Sequence, residues 1–251
     1  MVYIFLVKSS VSGLVVACTR LIDFLKPYTF YSYALGLSTI NKVEKVEKLK
    51  QLRHFFQSHA LFSSKKQVFQ NPDIQILLDE PAQRFEITIF PVILKARYKK
   101  LQRGIAQTRH FCYQCKGSGK FSGNVCSVCC GEQVLTKESV QELLFPFFKK
   151  SFQCNEMLFH GAGREDVDVL MLGNGRPFAL SLENPLVREV DLESLQNEIN
   201  AHLKNKVELR LLERGIALDV EAITQAYHTK RYRALVSSTE KIIPSALDSF
   251  I

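Results

Sequence analysis

Residues 159–178 read FHGAGREDVDVLMLGNGRPF, and the rest of the chain is organised around them. The stretch holds four of the twelve glycines, Gly161, Gly163, Gly173 and Gly175, in two clusters that permit close backbone approaches and tight turns. Between the clusters, Val167, Val169 and Met171 alternate with Asp168 and Leu170, a pattern that predicts a strand entered and left by turns. Arg164 and Asp166 then lie at the mouth of that strand. Loops on a rigid scaffold commonly carry catalytic carboxylates. Taken alone, Arg164 and Asp166 read more simply as a surface ion pair of little energetic consequence.

Upstream, the charge distribution is lopsided. The chain of 251 residues has a net charge of +8, and no Asp or Glu occurs from Ile87 to Gly131. Lys95, Arg97, Lys99, Lys100, Arg103, Arg109, Lys116 and Lys120 all fall in that acid-free stretch, an electrostatic footprint for phosphates. Within it the basic segment 95–109 interleaves cations with Tyr98, which suits phosphate contact beside a stacking platform. A solvated basic hairpin explains the same pattern equally well.

Cys112-x2-Cys115 and Cys126-x2-Cys129 follow, with Gly117, Gly119 and Gly123 between the pairs. Two such knuckles complete a tetrahedral four-thiolate site, and four protein ligands leave no open position, so the predicted zinc is structural. Cys130 stands next to Cys129 as an alternative ligand, and Cys18 and Cys154 read as ordinary core thiols. This cysteine usage does not fit a secreted disulfide framework. The apolar start is interrupted by Lys8, and neither half is long enough to span a bilayer. The expectation is a cytoplasmic or nuclear protein with no membrane partner.

The remaining chain reads as α+β. YSYALGLS resembles a strand ending at Gly36, and Asn41 is placed to cap a helix through about Ser58. DIQILLDE and FEITIFPVIL alternate as two strands around Pro81. Thr136 is expected to open a helix that Pro146 ends, and Asp191 to cap LESLQNEINAHLK. A strand at 207–212 and a short element at 215–223 complete the pattern.

The twenty-residue string closely resembles the signature HGAGREDVDVRMLGxGRPF of the THUMP-containing tRNA pseudouridine synthases of archaea and eukaryotes, with Leu170 where that family has arginine. KARYKKLQRGIAQT resembles the family's GRYxKLxRGIPQT, with Ala96 for the glycine and Ala106 for the proline. SVQELL resembles the SVEELI helix, and Lys230-Arg231-Tyr232-Arg233-Ala234-Leu235 resembles the KxYxAL strand. The resemblance implies a THUMP-containing RNA-binding domain at 1–110, and the cysteine spacing a zinc knuckle at 111–135. The resemblance further implies the N-terminal half of a mixed-sheet pseudouridine synthase domain at 136–251. It implies isomerisation of U54 or U55 in the TΨC arm of tRNA, with no organic cofactor. Asp166 would be the catalytic carboxylate, Arg164 its partner and space-filler for the flipped base, and Tyr232 the ring stacked on the uracil. Arg97, Tyr98, Lys99, Lys100, Arg103, Gln107, Arg109 and Lys230 would bind RNA. No string like TYIKEFVHGDFGRT follows, so the expectation is a synthase truncated in its C-terminal catalytic half, a second chain that carries that half, or a catalytically incomplete tRNA-binding protein.

Overall fold

A computed structural model describes residues 2–5, 20–28, 30, 33–38, 50–55, 72–79, 84–227, 229, 231–235, 237 and 239. Cys18, Asn41 and Lys230 lie outside the described residues. In chain order the elements are β1 (Val2–Phe5), helical residues 20–25 (α1), β2 (Tyr33–Ser38), helical residues 50–55 (α2), β3 (Ile74–Asp79), β4 (Arg84–Ile89) and β5 (Val92–Lys100). Then come β6 (Lys120–Phe121), β7 (Asn124–Val125), α3 (Val140–Phe152), β8 (Glu156–Gly161), β9 (Met171–Glu183), α4 (Leu192–His202), β10 (Val207–Arg214) and α5 (Ala217–Gln225).

These strands form an α+β protein with separate sheets. The first sheet is mixed, in the order β1-β4-β3-β2, with β2 parallel to β3 and the other pairs antiparallel. Ile74, Ile76 and Leu78 of β3 and Phe85 and Ile87 of β4 alternate inward, as half-buried strands must, and meet Leu21, Leu25 and Leu52. The second sheet, β10-β5-β9-β8, is antiparallel throughout its described strands.

FEITIFPVIL is two strands rather than one. Pro91 lacks the N–H a ladder needs, and the chain changes sheets at Phe90-Pro91. Arg188 fastens this crossover: its guanidinium donates to the Phe90 carbonyl at 3.0 Å through both terminal nitrogens, and its Nε lies 2.8 Å from Asp73. The basic segment, expected with the N-terminal domain, therefore begins as the β5 strand of the second sheet.

Val92, Leu94, Ala96 and Tyr98 face one side of β5 and join Val140, Leu144, Phe148 and Phe152 of α3 and Leu195 and Ile199 of α4 in the main core. The four α3 residues recur every four positions, so they share one helical face. Ser139, not Thr136, caps α3: its Oγ accepts from the Glu142 N–H at 3.2 Å and donates to the Glu142 carboxylate at 2.7 Å. Pro146 sits inside the helix instead of ending it. It lies on the exposed face, where water can satisfy the carbonyl it leaves unbonded. Asp191 caps α4, as its sequence position predicts, with Oδ1 accepting from the N–H groups of Glu193 and Ser194.

The signature stretch departs from its predicted shape. Val167–Val169 is a turn, and β9 begins only at Met171. The β5–β9 register shifts between Tyr98 and Lys100, pairing Tyr98 with Arg176 and Lys100 with Met171, so residues 172–175 bulge outward. Gly175 makes this bulge possible. Its φ is +74°, and a β-carbon there would stand 2.7 Å from the Tyr98 carbonyl oxygen.

A candidate active-site loop on a buried ionic floor

The loop between β8 and β9 turns alternate residues in opposite directions. Arg164 and Asp166 are exposed, whereas Glu165 between them is buried. The expected ion pair of Arg164 with Asp166 is not formed. The buried pair is Arg176 with Glu165, Nε to Oε2 at 2.7 Å, with side chains 7% and 2% exposed. The contact is ionic, because the Nε–H is not aligned as a hydrogen bond. Arg176 Nη1 also donates to the Ala162 carbonyl at 2.7 Å.

Tyr98 completes the floor beneath the loop. Its hydroxyl lies 2.7 Å from both Glu165 carboxylate oxygens and accepts from Gln107 Nε2 at 3.0 Å. Burial pushes the phenol up from its ordinary value, and the Glu165 carboxylate pushes it further, so the hydroxyl remains a donor. Gln107 Nε2 also donates to the Gly163 carbonyl at 2.9 Å. A β-carbon at Gly161 would meet the Gln107 amide at 2.8 Å, so glycine lets the loop lie this close.

Lys100 holds the other side. Its residue is fully buried, and its ammonium donates to the carbonyls of Ile105 at 2.9 Å, Asp166 at 2.8 Å and Val167 at 3.2 Å. Those are all the donors a lysine has. Burial pulls its pKa down, and the nearby Glu165 carboxylate pushes it back up. Arg97 donates to the carbonyls of Asn174 and Gly175, both at 2.8 Å, and Arg103 donates to that of Asp168. The basic segment therefore binds the peptide dipoles of the signature loop with much of its charge.

This placement corrects several sequence expectations. Tyr98 cannot stack on a base, since none of it is accessible; Lys100 and Gln107 are likewise interior. Tyr98 and Lys100 are drawn inward because β5 alternates and both share its core-facing side, and Gln107 by its bonds to the Tyr98 hydroxyl and the Gly163 carbonyl. Arg103 and Arg109 are exposed and Arg97 and Lys99 half-buried; Lys99 pairs with Glu208 at 3.1 Å and Arg109 with Glu142 at 3.4 Å. Tyr232 is 76% exposed, and residues 231–235 form no strand. Glu165 and Arg176 were not singled out from the sequence, although both lie in the signature string. Nothing in an Arg-Glu-Asp triplet says which carboxylate turns inward.

The four cysteines do converge. Cys112, Cys115, Cys126 and Cys129 are buried, with all four Sγ atoms within 4.8 Å of one another. Cys112 Sγ lies 3.7 Å from Cys126 Sγ, and Cys115 Sγ 3.6 Å from Cys129 Sγ, too far for disulfides. Four thiolates around one zinc at a Zn–S distance of about 2.3 Å stand about 3.8 Å apart, so the spacing fits that ion. Burial pushes the Cys115 thiol up, but the backbone N–H groups of Gly119 and Gly117 and the neighbouring thiols bring it to about 6. At Cys129 burial and the Cys115 thiol raise it to about 11. Cys130 is exposed and not part of the cluster, so it does not substitute for Cys129. The module is closed at its base by Cys112 N–H to the Gln133 carbonyl at 2.9 Å and Leu135 N–H to that of His110 at 2.8 Å.

Fold and site together define an α+β protein in which a glycine-rich loop presents an exposed aspartate above a buried Arg–Glu–Tyr floor. Comparison with known proteins agrees on the family: the profile described as "Pus10, C-terminal" matches residues 93–250, and the chain belongs to that family. It is similar to proteins named tRNA pseudouridine synthase Pus10. The relative from Halorubrum lacusprofundi is 38% identical over 179 residues, 71% of this chain and 42% of that protein. That from Methanocaldococcus jannaschii is 38% identical over 176 residues, covering 70% and 37% of the two chains. That from Archaeoglobus fulgidus is 41% identical over 172 residues, covering 68% and 46%. The matched region thus spans less than half the length of each of these relatives. The resemblance read from the signature string is borne out at the level of family. Among the described residues, no helix is long and apolar enough to cross a membrane.

Proposed function

We propose that this chain acts in tRNA pseudouridine synthesis, isomerising U54 or U55 of the TΨC arm with Asp166 as the catalytic carboxylate. One observation carries the reading. In a chain of this family, Asp166 is an exposed carboxylate of the signature loop, as Asp168 also is, and the carbonyl of its own peptide is bound by Lys100.

The isomerisation breaks the C1′–N1 bond, turns the base and joins C1′ to C5, with the C5 proton lost and N1 protonated. No electrons are gained or lost overall, so no organic cofactor is required. A uridine in a folded tRNA must leave its stack to reach the protein. The carboxylate therefore has to be accessible, as Asp166 is, unlike Glu165. Asp166 has two chemical roles open to it, as nucleophile at C1′ or as base towards a sugar proton. Exposed Arg164 beside it fills the place the base vacates. Arg97, Lys99, Arg103 and Arg109 supply positive charge to phosphates around the loop.

The four-cysteine module holds a structural zinc, through Cys112, Cys115, Cys126 and Cys129, and fixes the basic segment relative to the signature loop. The N-terminal sheet serves as a THUMP-like RNA-binding domain. A second chain is no part of the proposal. One observation favours the alternative of a tRNA-binding protein without catalysis: Tyr232 stands exposed outside any strand, away from the role its motif implies.

Incubation of the purified chain with an unmodified tRNA transcript tests the two. Pseudouridine in the TΨC arm, lost with Asp166→Ala, is the expected result. Salt-dependent tRNA binding without product overturns the catalytic reading and leaves the binding one.

A further inference from the structure

Among the described residues, Lys100 is an unusual side chain: a fully buried ammonium whose hydrogen bonds all go to backbone carbonyls. Burying an ionised amine is costly unless every donor is matched, and here each of the three is. The carbonyls come from two separate segments, Ile105 after β5 and Asp166–Val167 of the loop. Replacing the ammonium with an apolar group would take a hydrogen bond from three carbonyls at once, leaving that of Val167 only the Gly104 N–H and that of Asp166 only the long contact from the Val169 N–H. The residue is thus a cross-link between the basic segment and the loop.

We propose that Lys100 is a positioning residue for Asp166: its ammonium fixes the peptide planes on the C-terminal side of Asp166, while the Glu165–Arg176 pair and Tyr98 fix the residue before it. This inference rests on the catalytic reading of Asp166. An aspartate side chain has only two torsions, so the place of its carboxylate is set mainly by its backbone. With Glu165 pinned inward and the Asp166 and Val167 carbonyls held by Lys100, the loop can neither roll nor lift without breaking buried polar contacts. Gly104 N–H to the Val167 carbonyl at 2.9 Å and Arg103 to the Asp168 carbonyl extend the same attachment along the turn. Misplacement of a reacting group by about 1 Å costs about 10²-fold in rate.

The test is Lys100→Met in the full chain, read in two ways. Hydrogen exchange of the amides at 164–169 without RNA should quicken about tenfold or more, while those of β8 and α3 stay unchanged. Under single-turnover conditions with saturating protein, the rate constant for pseudouridine formation should fall about 10²-fold. The end-point and tRNA affinity should be unaltered, because the end-point reports the folded fraction and the rate constant the geometry. Unchanged exchange, an unchanged rate constant, or a loss confined to end-point or affinity overturns the inference. If Lys100→Met fails to fold by circular dichroism, Lys100→Gln, which keeps two N–H donors, is judged by the same criteria. A wild-type chain that makes no pseudouridine overturns the functional reading and the catalytic part of this inference. The exchange measurement then still decides whether Lys100 restrains the loop.

Discussion

Arg176 and Glu165, with ten residues between them in the chain, form an ion pair removed from water on both sides, Nε 2.7 Å from Oε2, while Arg164 and Asp166 on either side of Glu165 stay exposed. One partner of a buried pair cannot be lost without stranding the other. Arg176→Met should destabilise the fold by about 3–5 kcal/mol, measured by chemical denaturation. Combining it with Glu165→Gln should restore part of that loss. A double variant no better than Arg176→Met would mean the pair's electrostatics do not govern the site.

Two glycines of the same bulge should respond differently to alanine. Gly175 has φ +74° with a backbone oxygen 2.7 Å from where a β-carbon would sit, whereas Gly173 has φ +62° and open space. Gly173→Ala carries only the left-handed backbone cost, about 1–2 kcal/mol. Gly175→Ala should cost clearly more, since Tyr98 is a core residue of β5 and its carbonyl cannot move aside. Equal denaturation midpoints for the two would contradict the close approach.

Zinc content tests the cysteine cluster. One equivalent of zinc per chain is expected by atomic absorption, lost in Cys126→Ser and retained in Cys130→Ser, because only the former lies in the four-sulfur cluster. Since thiolates and not thiols bind the ion, lowering the pH should release zinc and raising it should restore binding. Retention of zinc by Cys126→Ser would exclude this ligand set.

The α4 cap should be pH-dependent. The Ser194 hydroxyl, then the Ser194 and Glu193 backbone N–H groups, hold the Asp191 carboxyl below its ordinary 3.8. A carboxyl whose folded value is depressed stabilises fully above its unfolded value and loses that contribution as pH falls through the folded one. Asp191→Ala should therefore lower the denaturation midpoint at neutral pH. The difference from wild type should vanish below the depressed value. A difference that persists in strong acid would show that the cap acts by packing instead of charge.

Much of the architecture was legible from local pattern. Asp191 before LESLQNEINAHLK is a capping signal, and the α4 helix begins right after it. Val140, Leu144, Phe148 and Phe152 share a helical face readable from their spacing. Thr136 misled because Ser139, three residues before Glu142, makes the better reciprocal cap. Val167–Val169 alternates like a strand, yet β5 ends at Lys100, whose partner is Met171, so among the described residues no strand lies beside it. Within the basic segment Tyr98, Lys100 and Gln107 turn inward, because residue type alone does not say what a side chain will meet.

The sequence by itself determined the family, through a string of some twenty residues, and the ligand chemistry of two Cys-x2-Cys pairs, because covalent spacing limits what one ion can collect. Only the tertiary structure decided which carboxylate of Glu165 and Asp166 faces water and that Tyr98 and Lys100 lie beneath the loop. It also decided that Arg97, Lys100 and Arg103 bind the carbonyls of residues 166–175. The reason is physical: burial and partner choice belong to contacts between β5 and a loop some seventy residues away. Those contacts exist only once β5 and β9 have paired and the core beneath them has closed.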